Sequence, residues 1–446
     1  MERNKLHINT ERHILRNPAL TVLMKISVDG SFDKARFEKA LLLLKNVHSL
    51  LYSTVIIDHG GVAYYRENAV QRLELHCAKR ERQNQWLETA ESENKRPFNC
   101  KHGPLIRFFV FYSETDFDIL AIVHHLIGDG NAIARLLRDL VVAYEGLELS
   151  HQEQILISSQ NDFPHSARPT FLVKTFAQVL NKMWDKGEHP RYEEHDFQKM
   201  FDSYHQITDI GLCYSTINAS EMNALYYSCK EHGITINEAI VTSFIWAIQE
   251  NHLHQSNKKT VVGIPINMRN QLSLSTDRSL GNFASAISIK ERYNTNHDFW
   301  QNAVRIQKKL RSKLKSAKAP WVVLNLYSLM NPLLIDAMYF SAYGTCQDKA
   351  AKKAASMLSI DNPSSTAISN LGRLNFNCQI GSCHIRDMVF FAPKAPGSYV
   401  VLGIATLGDR MQLGFSYDRK IISSETMKKV SAMILEILKT HQSLKI

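Results

Sequence analysis

The residues best suited to chemistry are Ile122-Val123-His124-His125-Leu126-Ile127-Gly128-Asp129-Gly130. Two histidines close an apolar run, a three-residue loop follows, and Asp-Gly opens a helical pattern whose first turn Asp129 can cap. An imidazole at a fixed strand end beside a rigid turn suits proton transfer, because histidine titrates near neutral pH. An adjacent pair alone says little, since 19 histidines in 446 residues produce about one such pair by chance. The strand, loop and helix around the pair carry the signal.

The seven cysteines, at 77, 100, 213, 229, 346, 378 and 383, are odd in number and scattered, with no C-x-x-C pair. They predict free thiols in a reducing, cytoplasmic compartment rather than a disulfide framework. Cys378, Cys383 and His384 come nearest to a ligand cluster, but no second pair follows, so buried thiols are expected and no metal. The charged N-terminus, MERNKLHINTERHILRNPAL, has no apolar core of the kind a signal peptide needs.

Alternating helices and strands must position the histidines. Thr21 to Val28 reads as a strand, followed by a helical stripe through Phe32, Phe37, Ala40, Leu41, Leu44 and Val47. A strand from Leu51 to Ile57 and a polar helix from Arg82 to Asn94 come next. The β-prone runs Leu105 to Tyr112 and Phe117 to Val123 flank a turn-rich connector, predicting a hairpin that ends at the histidines. A helix from Asn131 to Tyr144 follows.

Residues 148–204 are polar and weakly periodic, apart from an amphipathic stretch from Phe171 to Trp184. A second α/β pattern then starts with a strand from Ile207 to Ile217 and a helix capped at Ser220. Thr235-Ile236-Asn237-Glu238 is a capping box opening a helix to Asn251. Strands at 260–265 and 283–289, a charged helix at 296–315, strands at 365–369, 385–391, 399–406 and 411–417, and a helix at 423–439 complete the reading. This organisation predicts an N-terminal unit at 1–165, a linker at 166–204 and a C-terminal unit at 205–446. The most hydrophobic long stretch, Trp321 to Phe340, is interrupted by Asn325, Ser328, Asn331, Pro332 and Asp336. It therefore predicts a buried helix pair broken at Pro332, or a wall for an acyl chain, rather than a membrane span.

The length allows two to four domains, and 44% hydrophobic residues with 12 Pro and 19 Gly exclude disordered and collagenous classes. The 53 Lys and Arg against 43 Asp and Glu leave a net charge of +10, which favours an anionic partner. The basic residues are spread out, without the dense stripe of a nucleic-acid binder, so no nucleic acid is expected.

The segment His124 to Gly130 resembles the HHxxxDG superfamily of acyltransferases, which includes chloramphenicol acetyltransferase, nonribosomal peptide condensation domains, alcohol acetyltransferases and wax ester synthases. Further similarities run along nearly the whole chain. Leu42 to Leu51 resembles the family's helix ending in a His-Pro-x-Leu-Arg segment, and Arg96-Pro97-Phe98 to Arg107 its PF…GPLxR strand start. Pro265 to Arg269 with Leu280 to Phe283 is similar to its PxNxR…LGNF region, Ser369 to Arg373 to its SNxG element, and Gly414 to Asp418 to its late YD strand end.

The resemblance implies an α/β fold of two chloramphenicol-acetyltransferase-like subdomains, each a mixed sheet with flanking helices, around one channel. It implies acyl transfer from acyl-CoA or an acyl carrier protein to a small-molecule hydroxyl or amine, with no resident cofactor, in a cytoplasmic monomer. His125 is then the general base and Asp129 a charge that holds the loop; His124 packs, and Gly130 permits close backbone approach. Ser369, Asn370, Arg373 and Asn282 are the expected substrate-binding residues. Asn370 is the candidate for the oxyanion, unless it only forms an Asn-x-Gly turn, and Arg373 for a phosphate. The family's arginine after His-x-x-Leu is Tyr52 here. Asp129 therefore needs another partner, for which Arg107, Arg16 and Arg373 are candidates. The same departure supports the alternative of an inactive carrier- or lipid-binding relative, and the basic excess that of a membrane-surface protein.

Overall fold

The computed structural model describes residues 6–68, 72–150, 154–157, 159–187, 189–253, 259–272, 276, 279–361 and 363–441. Two six-stranded mixed sheets form its centre, together with a small three-stranded sheet of Leu6–Ile8, Ala63–Glu67 and Ser53–Ile57.

In the first large sheet the order is Gln379–Ile380, Cys383–Phe391, Thr21–Asp29, Asp116–His124, Ile106–Tyr112 and Glu74–Lys79. Thr21–Asp29 is buried along nearly its whole length, as expected for a near-continuous apolar run covered on both faces. It pairs antiparallel with Asp116–His124, setting Thr21 opposite His124. The His125 N–H continues that edge by donating to the Leu20 carbonyl at 3.1 Å. The helices Lys34–Lys45 and Gly130–Tyr144 pack on each other over this sheet.

The second sheet runs Ala284–Glu291, Thr260–Asn267, Ser365–Leu374, Ser398–Leu407, Arg410–Asp418 and Ile210–Ile217. Helices Ala219–Glu231, Ile236–Glu250, Phe299–Leu314 and Ser424–Thr440 bury a second core against it. Its helix starts carry the capping chemistry the sequence predicts at Thr235, whose side chain accepts from Glu238 while Glu238 reaches back. Elsewhere the cap shifts by two residues, from the expected Ser220 to Asn218.

Two expectations about domain borders need correction. Residues 379–391 lie late in the expected C-terminal unit but pair with Thr21–Asp29, so that unit lends two strands to the first sheet. The close approach is possible because Gly403 and Gly414, paired across neighbouring strands, both face the Phe390 carbonyl, where a Cβ would collide. Residues 166–204 are not an open linker either. They form the helix Phe171–Trp184 and most of Glu194–Ile207, which pack with Pro332–Ala342 and Lys349–Met357 in a third core.

The hydrophobic stretch bends as expected, with an angle of 98° between Ala319–Leu329 and Pro332–Ala342. The break falls at Met330-Asn331, and Pro332 starts the second helix, where its missing N–H costs nothing. Among the described residues no single helix is long and apolar enough to cross a membrane.

Candidate active site

His124 and His125 end one strand and diverge. His124 is buried: its Nδ1 accepts from the Leu126 N–H at 3.2 Å, its Nε2 faces the Cys100 thiol at 3.6 Å, and its ring stands edge-on to Phe98. Burial pulls its pKa down to about 3, so it packs as a neutral ring. His125 is half-buried, and its Nδ1 meets no hydrogen-bond partner. Burial lowers its pKa, while the Asp129 charge and nearby backbone carbonyls only partly resist. The ring is therefore neutral near pH 7, the form that accepts a proton.

Asp129 caps the helix Gly130–Tyr144, its Oδ1 accepting from the Ala132 N–H at 3.0 Å. Its Oδ2 accepts from the Phe283 N–H at 3.0 Å and from Arg269 Nη1 at 2.7 Å. Burial alone would raise the Asp129 pKa, but the guanidinium and the N–H donors override it and hold the carboxylate ionised. The Arg269 guanidinium is itself buried and lies 4.6 Å from the Phe283 ring centre. Backbone contacts reinforce the ion pair: Asp129 donates to Gly281 O at 3.2 Å and Gly281 to Ile127 O at 2.8 Å. The loop after the histidines is thus clamped to Arg269, Gly281 and Phe283 of the second half.

Arg269 corrects the expected partners of Asp129. Arg107 instead pairs with Glu93 and lies over Phe98, Arg16 pairs with Glu194, and Arg373 is exposed. The family arginine's position, Tyr52, donates its hydroxyl to Leu41 O at 2.8 Å and serves the helix Lys34–Lys45. Gly130 does permit close approach, since a Cβ there would strike Leu371 and Phe390.

Both segments expected to bind substrate border the motif: Leu371, within 369–373, faces Gly130, and Asn282 precedes Phe283, whose N–H holds Asp129. Asn282 is buried next to the clamp, with its side-chain oxygen accepting from Ala284 N–H. Asn370 accepts from Gly372 N–H at 2.8 Å, which closes the Asn-x-Gly turn, and its amide nitrogen donates to Asn237 Oδ1 at 3.0 Å on the helix Ile236–Glu250. Ser369 is half-buried on the strand Ser365–Leu374, immediately before that turn.

Three side chains border the site that the sequence reading did not single out. His13 stacks on Tyr327 at 4.2 Å, and its Nδ1 meets Thr10 O at 2.8 Å. Burial, followed by the His125 charge as a minor contribution, pulls its pKa down to about 4. Glu11 is buried with neither carboxylate oxygen in a hydrogen bond, and burial pushes its pKa up to about 8 against weak help from the backbones of Glu11, Asn282 and Asn9. Next to them Arg12 forms a buried two-point pair with Asp336. A charged N-terminal segment carries no periodicity, which is why Thr10-Glu11-Arg12-His13 was legible only as polar.

Cys100, against His124, also lines a cavity of about 1030 Å³ whose wall includes Arg16, Glu194 and Tyr192 and whose rim mixes exposed Arg66, Lys101 and Arg191 with exposed Asp58 and Glu193.

The condensation-domain family model matches residues 19–381, which takes in both halves of the clamp. The chain belongs to the condensation-domain family. Its relatives include gramicidin S synthase 2 of Aneurinibacillus migulanus, 22% identical over 271 residues, or 59% of this chain and 6% of that synthetase. This condensation-family chain thus matches only a small part of the curated synthetases.

Among solved structures, the TRI3 trichothecene 15-O-acetyltransferase of Fusarium sporotrichioides superposes with a TM-score of 0.66 at 13% identity, covering 98% of this chain and 94% of that one. The condensation domain of the Monacolin K polyketide synthase MokA gives 0.65 at 12% identity, over 98% and 96%. The condensation fold is therefore shared across the whole chain, while the residues around it have diverged.

Proposed function

We propose that this condensation-family protein transfers an acyl group from a thioester, carried by CoA or a carrier protein, to the hydroxyl or amine of a small molecule. The observation that carries the reading is a neutral, half-buried His125 on a loop held by the Asp129–Arg269 pair. His125 takes the proton of the acceptor as its oxygen or nitrogen attacks the thioester carbon. The tetrahedral oxyanion collapses, the C–S bond breaks, and the thiolate leaves with the proton returned by the imidazolium. No covalent enzyme intermediate is needed. The net charge of +10 supports an anionic donor. The relatives named above, a peptide synthetase and an O-acetyltransferase, support both acceptor classes.

The inactive alternative rested on Tyr52, and Arg269 now accounts for the charge that position lacks. The test is thiol release across a panel of acyl-CoA and acyl-carrier donors, with mass detection of the acylated acceptor. H125A is expected to abolish turnover with an unchanged melting temperature, and full activity in that variant would overturn the assignment of the base. The acidic limb of kcat/KM is expected below the ordinary imidazole value of 6.5, because burial disfavours the protonated ring.

A further inference from the structure

The net charge of +10 is not evenly spread. Residues 163–184 and 299–335 contain no Asp or Glu, and together they hold ten Lys and Arg, from Arg168 to Lys318. The two segments meet in the fold: helix Phe171–Trp184 packs on helix Val322–Leu329, and Lys318 Nζ donates to Arg168 O at 2.9 Å. Arg305 and Lys309 are paired with Glu291, but Arg168, Lys174, Lys315 and Lys318 stand at the surface around this junction.

Among those cations lie the most exposed large apolar side chains of the described residues. Phe171 is 80% and Leu172 78% exposed on the first turn of their helix, with Leu314 and Val322 exposed on the neighbouring elements. Two adjacent apolar residues left in water are unfavourable and mark a contact surface when they form part of a patch. A ring of lysines and arginines around a greasy tip is complementary to one kind of partner, an anionic bilayer surface: the apolar tips enter the acyl boundary while the cations meet phosphates.

The patch is also linked to the site. Behind it the buried cluster of Phe163, Ala167, Trp321 and Leu324 continues to Phe283, whose N–H holds Asp129. Helix Val322–Leu329 starts at the patch and, about 8 Å further along its axis, presents Tyr327 to His13.

We propose that the surface formed by Phe171, Leu172, Leu314 and Val322, with Arg168, Lys174, Lys315 and Lys318, docks the protein on an anionic lipid bilayer. This relocates the membrane expectation. The apolar stretch at 321–340 stays folded, with Leu334–Phe340 buried in the third core, and contributes only Val322 to the contact. The docking is independent of the acyl-transfer chemistry and fails or stands separately from it.

The test is co-sedimentation of the full chain with phosphatidylcholine vesicles, with and without about a quarter phosphatidylglycerol, at low and high salt. Wild type is expected to bind the anionic vesicles and to weaken with salt. F171S/L172S, with an unchanged melting temperature, is expected to bind roughly tenfold weaker or worse. K315E/K318E is expected to lose the salt-dependent part. Wild type that ignores both vesicles, or F171S/L172S that binds as wild type does, overturns the proposal. So does a wild-type dimer in light scattering that F171S/L172S dissolves, because the patch would then cover a second copy of the chain.

Discussion

Two buried carboxyl groups border the site, and the protein holds them in opposite states of charge. Asp129 has a guanidinium and two backbone N–H donors on it and stays ionised. Glu11 is no less hidden from water, yet neither oxygen finds a partner, and it stays protonated up to about pH 8. Burial alone therefore does not decide the charge; the donors that the fold brings do. The first carboxyl acts as a strap between the two halves of the chain, and the second leaves an acidic proton beside the Asn282 backbone.

Removing the strap is expected to have the largest effect on stability. D129A leaves Arg269 buried without its counter-charge, and a loss of about 3–5 kcal/mol is expected in urea unfolding. D129A/R269M, which replaces both charges, is expected to recover part of that loss. A D129A cost below about 1 kcal/mol, typical of an exposed pair, would show that the clamp does not join the halves.

Glu11 gives the opposite pH signature. Its pKa is near 4.5 when unfolded and about 8 when folded, so between those values the folded chain binds the extra proton and stability falls as pH rises. E11Q keeps the shape without the titration. Its melting temperature is expected to exceed that of wild type at pH 9 and to converge with it near pH 4. Parallel melting curves across that range would mean that Glu11 titrates as an ordinary carboxyl. The smallest effect is expected of Y52F, which loses one hydrogen bond to Leu41 O, about 1 kcal/mol, and leaves turnover unchanged because Arg269 is the partner of Asp129.

Local features of the site were readable from residue order. The apolar run ending at His124, the cap at Asp129 and the helix after it depend on neighbours within a few positions. So does the capping box at Thr235, and the amphipathic stretch expected at Phe171 to Trp184 within the linker is a helix of those bounds. Short strands such as Leu6–Ile8 and Glu74–Lys79 were missed, because so few residues show no clear alternation. Arg269 ends the PxNxR segment, but its pairing with Asp129 spans 140 residues and leaves no trace in short-range spacing. Asn370 forms the turn that its Asn-x-Gly spacing allows, its oxygen accepting from Gly372 N–H.

By itself the sequence determined the local elements, the position of a histidine at a strand end, the family pattern and the sign of the net charge, all of which follow from residue types at short spacing. Only the tertiary structure decided which arginine meets Asp129, that Glu11 keeps its proton, that strand Cys383–Phe391 joins the first sheet, and where the cations gather around exposed Phe171 and Leu172. Those outcomes depend on which distant segments are packed together, because burial and pairing act through space rather than along the chain.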